Sequence, residues 1–204
     1  MYLTRLALDP RSALARRDLG DPYEMHRTLT RAFIANETNK PSRFLWRLEA
    51  QGHAWADPVV LVQSEAAPVW GELQALPNYL KKSAETKSLS AANLVALGKS
   101  YRFRLLANPT VTRAGKRYGL AAEAEQLAWL VRQGERYGFV VENAFVSSSD
   151  VLKSRKDNMR INVQRAVFDG ILRVHQPDLL AGVLTSGIGP AKAFGCGLLS
   201  IAGA

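Results

Sequence analysis

The chain has 204 residues, 47% of them hydrophobic, so it is long enough for one large or two small domains with a real core, and it is not a disordered protein. Its single cysteine, Cys196, excludes an intrachain disulfide framework, and no segment is apolar for long enough to span a bilayer, so we expect a soluble cytoplasmic protein without membrane partners. Most of the formal net charge of +9 lies after Gly98, where fifteen Lys and Arg stand against eight Asp and Glu. This excess favours a nucleic-acid partner, with general basicity for solubility as the alternative.

Hydrophobic periodicity predicts alternating strands and helices in the first half of the chain. Period-two alternation and short apolar runs indicate strands, whereas apolar residues three and four positions apart indicate helices. On these criteria we expect strands at residues 2–8, 43–49 and 59–63, helices at 22–34 and 69–80, and a weak strand before residue 97. The order is strand, helix, strand, strand, helix, strand.

The same order returns in the second half of the chain. We expect a strand at residues 101–106, a helix at 121–133, strands at 139–146, 162–168 and 171–174, a helix at 177–186 and a last strand at 197–202. The dipeptide Asp169-Gly170 favours the tight turn of a hairpin between two of these strands.

Two copies of one unit predict an α+β fold of two tandem ferredoxin-like (RRM-like) βαββαβ domains, at residues 1–97 and 98–204. The small and polar stretch 83–98 is the expected join. Many RNA-binding modules share this fold, but the aromatic signature of base-stacking sheets is missing. If RNA binds, we expect basic loops or helices to hold it rather than an open sheet face.

The first predicted helix gathers polar side chains on one side. Asp21 can cap this helix, and Pro22 suits its first position. A phenol, an imidazole and two guanidinium groups follow at helical spacing, on or beside the exposed face: Tyr23, His26, Arg27 and Arg31. A histidine with only a structural role at the border of an amphipathic helix is the alternative.

This set of groups suits RNA cleavage by the substrate's own 2′-hydroxyl, which requires neither a metal nor another cofactor. His26 and Tyr23 are the candidate catalytic residues, because histidine titrates near neutral pH and tyrosine can orient the nucleophile or share the proton transfer. Arg27 and Arg31 are placed to support the phosphate and its transition state. No clustered Asp and Glu set of the kind that a two-metal nuclease needs is found in the sequence.

Basic residues of the second half predict the RNA-binding surface. The segment 153–160 lies between two expected strands and reads as a basic hairpin tip, with a solvated loop as the alternative. Further cations flank it in the same half. The candidate RNA-binding residues from these segments are Lys153, Arg155, Lys156, Arg160, Arg102, Arg104, Lys116 and Arg117.

A glycine-rich run at residues 187–197 predicts backbone with positive φ angles or with a close neighbour. Neither GxGxxG nor GxxxxGK[ST] is present, and the order helix, loop, strand is the reverse of a phosphate-binding loop, which disfavours a small-nucleotide enzyme. An ordinary turn is one alternative. The other is a loop that lets an RNA backbone approach, through Gly187, Gly189, Lys192, Gly195 and Gly197.

Taken together, the segments resemble the CasE family, the repeat-processing endoribonuclease of type I-E CRISPR systems. The matching pieces run through the whole chain in family order: residues 1–4, Tyr23 with His26, residues 103–109, 123–130 and 167–170, and the glycine-rich run 187–201. The stretch 110–119 is a departure from the resemblance, because it is more compact than in longer relatives that contact RNA there. Arg31 and Ile34 lie where no fixed family pattern applies.

The resemblance implies two ferredoxin-like domains and recognition of the stem-loop in CRISPR repeat RNA, both as pre-crRNA and as crRNA. It also implies metal-independent cleavage at the 3′ base of the stem, which leaves a 2′,3′-cyclic phosphate and a 5′-hydroxyl. The family's catalytic histidine and tyrosine correspond to His26 and Tyr23. Other Cascade subunits are the implied protein partners. The alternative is a non-catalytic RNA-binding subunit that only holds the guide RNA.

Overall fold

The computed structural model describes residues 1–34, 41–49, 53, 56–156 and 159–204, with the backbone alone at 155, 156, 159 and 160. These residues form two compact units. The first comprises Met1–Leu89 with Ala193–Gly195, and the second comprises Ser90–Lys192 with Cys196–Ala204. The domain limits expected from the sequence, at residues 97 and 98, stay a prediction.

The first unit is a four-stranded antiparallel sheet with helices between its strands. Its elements are β1 (Tyr2–Ala7), α1 (Ala13–Gly20), α2 (Pro22–Thr30) with a single 3-10 turn (Arg31–Phe33), β2 (Phe44–Leu48), β3 (Val59–Ser64), α3 (Gly71–Ala75) and β4 (Glu85–Ser88). The strands lie in the order β2-β3-β1-β4, and every neighbouring pair is antiparallel. This is the strand order of a ferredoxin-like unit.

Apolar side chains on one face of this sheet form the core against the helices. Leu6 and Val60 contribute from the strands, and Met25 and Leu29 contribute from α2; each of these four is at most 1% exposed. Burial of that much apolar surface stabilises the unit and fixes which face of α2 points away from the core.

Two helices of this unit differ from the sequence expectation. The predicted helix at 69–80 is reduced to α3, because Pro77 lacks an amide hydrogen and Asn78 has a φ of 53°, neither of which continues a helix. Conversely, α1 was not expected. The hydroxyl of Ser12 accepts a hydrogen bond from the amide of Ala15 and so caps this helix.

The second unit repeats the arrangement with longer strands. Its elements are α4 (Ala91–Leu94), β5 (Ser100–Ala107), β6 (Thr110–Arg113), β7 (Lys116–Gly119), α5 (Glu123–Tyr137), β8 (Phe139–Lys156), β9 (Met159–Val174), α6 (Pro177–Ser186) and β10 (Leu199–Gly203). The main sheet has the antiparallel order β10-β5-β9-β8. The predicted fold class, two tandem ferredoxin-like domains, is confirmed.

The predicted hairpin turn at Asp169-Gly170 is wrong. These residues lie inside the single strand β9, where Gly170 is paired with Phe103 on one side and with Ala144 on the other. The register of β8 shifts between Val141 and Asn143, and a Cβ atom at position 170 would lie 2.1 Å from the carbonyl oxygen of Asn143. Glycine is therefore required there because a bulged strand approaches closely, not because the chain reverses.

Replacing Gly170 by alanine is expected to destabilise the protein by about 1–3 kcal/mol or more, because the new methyl group would collide with backbone atoms of β8. Gly182 is the matched control. It lies inside α6, and a methyl group added there would have no heavy atom within 4 Å, so Gly182→Ala is expected to leave stability equal or raise it by up to about 1 kcal/mol. Urea unfolding of both variants checks the pair; equal stabilities would contradict the bulge explanation.

A further hairpin, β6–β7, was also missed from the sequence. Its two-residue turn is formed by Ala114 and Gly115, whose φ angles are 47° and 74°. Most of its side chains are exposed, so it has no apolar alternation by which a strand could be recognised.

Candidate functional site

The helix that carries the candidate catalytic residues begins as the sequence predicts. Pro22 is its first residue, and the carboxylate of Asp21 accepts a hydrogen bond of 2.9 Å from the amide of Tyr23. Met25, Thr28 and Leu29 of this helix are buried, whereas Arg27, which lies between them in the chain, is exposed.

The four candidate active-site residues lie on α2 and the turn that follows it. Tyr23 and His26 are half-buried, while Arg27 and Arg31 are exposed. The spacing predicted from the sequence is therefore realised on one helix of the first unit. The catalytic roles of these residues stay predictions.

The imidazole of His26 lies against the ring of Phe44, a residue of β2. The ring centroids are 4.9 Å apart and the planes are inclined by 23°. Its Nδ1 atom is buried and has no hydrogen-bond partner among the described residues. Burial lowers the pKa of His26 below its ordinary value, because the charged imidazolium loses hydration. At neutral pH the neutral ring, which can accept a proton, is favoured.

The titration of His26 gives a direct check on this environment. We expect its midpoint below about 6.5, the value of an unperturbed histidine. With this lowered pKa, the unfolded chain binds a proton at His26 more readily than the folded chain does. The contribution of His26 to stability therefore falls as the pH drops through and below about 6.5. Two-dimensional NMR of the imidazole, assigned by its absence in His26→Ala, measures the midpoint. A midpoint at or above 6.5 would contradict the buried environment.

Arg27 is held by an ion pair on the surface of α2. Its guanidinium donates to Glu24 at 2.9 Å, and the same carboxylate lies 3.5 Å from Arg17. Since the side chain of Arg27 is 63% exposed, this pair contributes little to stability. Arg27 can therefore exchange the carboxylate for a phosphate at small cost.

A buried polar network, not predicted from the sequence, connects α1 with α2 and with the loop that follows α3. The hydroxyl of Tyr79 donates to Asp18 at 2.8 Å, and Arg17 donates to the same carboxylate. Arg17 also donates to Thr28 of α2, at 3.3 Å. Burial raises the pKa of Tyr79, so the phenol stays protonated and remains a donor. The network joins α2 to α1 through Arg17, whose side chain is 46% exposed, while Asp18 and Tyr79 are at most 1% exposed.

The basic hairpin predicted at residues 153–160 is confirmed as backbone geometry. The strands β8 and β9 remain paired out to Lys156 and Met159, and Lys153 is exposed. The side chains of Arg155, Lys156 and Arg160 lie outside the part of the chain that the structure describes. Contact between this hairpin and RNA stays a prediction.

The hairpin β6–β7 contacts β9 at its base and carries exposed cations of its own. A Cβ atom on Gly119 would lie 2.5 Å from the Cβ of Gln164, so the base of one hairpin is packed directly on the other. Lys116 and Arg117 are exposed on β7. Arg113, exposed on β6, is a further cation that the sequence reading did not select.

Arg102 and Arg104 lie on the face of β5 away from the core and differ in their partners. The Nε of Arg102 donates to the carbonyl of Gly203 at 3.1 Å, and the side chain is exposed. Arg104 donates two hydrogen bonds to the carboxylate of Asp169, at 2.7 Å and 3.2 Å, and the hydroxyl of Ser147 donates to the same carboxylate. This ion pair was not predicted from the sequence, because Asp169 was expected in a turn. RNA contact by either arginine stays a prediction.

The glycine-rich loop adopts the backbone that its composition predicts. Positive φ angles are found at Gly187 (76°), Gly189 (77°), Gly195 (80°) and Gly197 (97°). The space next to three of these glycines is filled by the protein itself. A Cβ atom would lie 3.2 Å from the ring of Trp129 at position 189 and 3.2 Å from the ring of Trp46 at position 195. At position 197 it would lie 3.1 Å from the carbonyl oxygen of Ile188. The missing side chains thus make room for internal packing.

Other parts of this loop are also partly or fully buried. Lys192 is half-buried at the start of a 3-10 turn, Lys192–Phe194, so RNA contact there stays a prediction. Cys196 is completely buried, and burial raises the pKa of its thiol to about 12. The thiol is therefore a packed side chain rather than a nucleophile.

The described residues include neither a metal-binding cluster nor a membrane-spanning helix. In that part of the chain, no group of three or more His, Cys, Asp or Glu side chains is arranged to hold a metal ion. The same residues include no helix that is long and apolar enough to cross a membrane. Independence from metal stays a prediction about the reaction.

Comparison with known proteins covers the whole chain. The family model described as CRISPR associated protein matches residues 1–203. The CRISPR-associated endoribonuclease Cse3 of Thermus thermophilus is 37% identical, with 99% of this chain and 100% of the relative aligned. The CRISPR system Cascade subunit CasE of Escherichia coli K12 is 30% identical, with 99% of each chain aligned.

A solved structure gives the same result in three dimensions. The structure of Thermus thermophilus Cse3 bound to an RNA representing a pre-cleavage complex has a TM-score of 0.86, at 37% identity and with 98% of each chain covered. The chain therefore belongs to the family of CRISPR associated proteins that includes Cse3 and CasE. The resemblance drawn from the sequence motifs is confirmed.

Proposed function

We propose that the chain is an endoribonuclease that binds the stem-loop of CRISPR repeat RNA and cleaves pre-crRNA at the 3′ base of the stem. The names of the two relatives and the nearly complete alignment support this assignment. The observation that carries it is the position of His26, a half-buried neutral imidazole on the border of an otherwise polar helix face.

The proposed reaction is an internal transesterification. A base removes the proton of the 2′-hydroxyl, the 2′-oxygen attacks the adjacent phosphorus, and the bond to the 5′-oxygen breaks as an acid protonates that leaving oxygen. The products are a 2′,3′-cyclic phosphate and a 5′-hydroxyl. His26 can fill either proton-transfer role, and Tyr23 orients the nucleophile or shares the transfer. Because the nucleophile belongs to the substrate, no metal or other cofactor is required.

Cations hold the phosphate and the stem in this proposal. Arg27, which follows His26 in α2, and Arg31, in the turn after α2, are exposed and are proposed to support the charge of the phosphorane. The two neighbouring hairpins of the second unit bind the stem through Lys116, Arg117, Lys153, Arg155, Lys156 and Arg160. Three further cations are proposed to contact the edge of the stem: Arg102, Arg104 and the loop residue Lys192.

We propose that the enzyme keeps its product and that it joins a Cascade complex; the second part is supported by the Escherichia coli relative, which is named a Cascade subunit. We place it in the cytoplasm, which suits a buried free thiol. A non-catalytic subunit that only holds guide RNA is the second candidate. It is not favoured, because the relative with 37% identity is named an endoribonuclease.

Cleavage of the cognate repeat RNA in excess EDTA tests the proposal. We expect a single cut at the 3′ base of the stem, with no cut in a control RNA of the same composition whose stem cannot form. A requirement for added metal would overturn the proposed reaction. Tight binding without any cut would favour the non-catalytic subunit.

A further inference from the structure

His26 is the outermost member of a column of aromatic rings. Its imidazole stacks on Phe44, and Phe44 stacks on Phe33 with centroids 4.5 Å apart and planes inclined by 12°. Phe33 in turn meets the edge of Trp70 at 5.8 Å. The indole nitrogen of Trp70 donates to Thr86 at 3.2 Å. The column therefore runs from the candidate active site into the core and ends on the sheet at β4.

The rings below the imidazole belong to the fixed core of the first unit. Phe44, Phe33 and Trp70 are each at most 7% exposed. They originate from β2, from the turn after α2 and from the residue before α3, so three separate segments hold the column. Close packing of this kind leaves little freedom for any one ring to turn or shift.

Hydrogen bonding does not explain how the imidazole is oriented. A catalytic histidine is usually fixed by a hydrogen bond from the ring nitrogen that faces away from the substrate. Here that nitrogen, Nδ1, is buried without a partner in the described part of the chain. The hydroxyl of Thr30 donates to the backbone carbonyl of His26, at 2.7 Å, and not to its ring. Among the described residues, the stacked ring of Phe44 is the contact that can set the plane of the imidazole.

We propose that Phe44 is a positioning residue for the cleavage reaction: its ring fixes the plane of the His26 imidazole and leaves Nε2 as the nitrogen that exchanges a proton with RNA. This inference rests on the proposed catalytic role of His26. The role assigned to Phe44, which is 7% exposed, requires no contact with RNA or with the reacting atoms. It acts by keeping Nε2 at the correct distance and angle, to which proton transfer is sensitive.

Leucine at position 44 keeps an apolar side chain but removes the flat surface. For Phe44→Leu we expect the single-turnover cleavage rate constant at saturating protein to fall by roughly 10- to 100-fold, because misplacement of a reacting group by about 1 Å has an effect of that order. Affinity for a non-cleavable 2′-deoxy RNA should change by less than about twofold, since the proposed role of His26 is proton transfer and not the holding of RNA. Phe44→Tyr keeps the ring and should retain a rate constant within about threefold of the unmodified protein.

A matched control separates positioning from stability. Val60→Ala removes buried apolar volume from the same core but from outside the ring column, so it should lower stability to a comparable extent and leave the cleavage rate constant within about threefold. If Phe44→Leu does not fold, Phe44→Met, which is similar to Phe in volume and flexible in shape, takes its place in the same assays.

The outcomes distinguish the inference from the proposed function. Equal rate constants for Phe44→Leu and Val60→Ala, or a loss of affinity equal to the loss of rate in Phe44→Leu, would overturn the positioning role. If the protein with Phe44 and His26 intact does not cleave, or if His26→Ala cleaves equally well, the catalytic assignment fails instead. A selective loss of rate in Phe44→Leu and its recovery in Phe44→Tyr support the inference.

Discussion

Replacing His26 by alanine is expected to lower the single-turnover rate constant of repeat cleavage by about 10²- to 10⁴-fold, the range typical of positioned general acid–base catalysis. The loss arises because His26 carries the one imidazole among the described residues of α2, and burial, which lowers its pKa, favours the neutral ring that can accept a proton. RNA affinity should change by less than about threefold, since the cationic hairpins remain intact. Single-turnover kinetics and filter binding with the same repeat RNA measure the two quantities.

The cleavage rate constant of Tyr23→Phe tests the second candidate catalytic residue of this site. Removing only the hydroxyl should reduce the rate constant, because the phenol is proposed to transfer a proton or to orient the nucleophile. A combined variant at Tyr23 and His26 is expected to lose less than the product of the two single effects, because residues that act as a unit are not additive. Cleavage by His26→Ala at the rate of the unmodified protein would contradict the assignment.

Neutralising the cations of the basic hairpin is expected to have the second large effect, a loss of RNA affinity. The fourfold alanine variant at Lys153, Arg155, Lys156 and Arg160 should bind the stem-loop about tenfold or more weakly, because it loses several phosphate contacts. The slope of log affinity against log salt should become shallower by about 0.7–0.9 for each phosphate contact that is lost. Affinity measured from low to high salt provides both numbers.

A second fourfold variant controls for net charge. Lys87, Lys99, Arg132 and Arg136 are exposed cations outside the proposed RNA surface, so their replacement by alanine lowers the net charge by the same amount. This variant should reduce affinity much less and leave the salt slope close to that of the unmodified protein. Equal losses in both variants would assign the effect to overall charge and leave the hairpin to solvent.

Elements with a clear hydrophobic period could be predicted from the sequence. The strand at Tyr2–Ala7, the start of α2 and the whole of α6 were recovered because local periodicity, caps and prolines all agree there. The exposed hairpin β6–β7 was not recovered, because it buries no continuous stripe. The turn at Gly170 was predicted wrongly because a local dipeptide signal was outweighed by long-range pairing with the bulged strand β8.

The same distinction between local and long-range contacts applies to the candidate site. Residues that share one helix, such as Tyr23, His26 and Arg27, could be grouped from spacing alone. Phe44 could not, because its contact with His26 depends on how β2 packs against α2. The pair formed by Asp18 and Tyr79 joins residues 61 positions apart in the chain, and no local pattern reports such a contact.

A repeat RNA with a single 2′-deoxy nucleotide at the scissile position tests internal transesterification most directly. In excess EDTA, the all-ribose RNA should yield one product that ends in a 2′,3′-cyclic phosphate and another that begins with a 5′-hydroxyl. The substituted RNA should bind with similar affinity and remain uncut. Cleavage of the substituted RNA, or a product that carries a 5′-phosphate, would contradict the proposed mechanism.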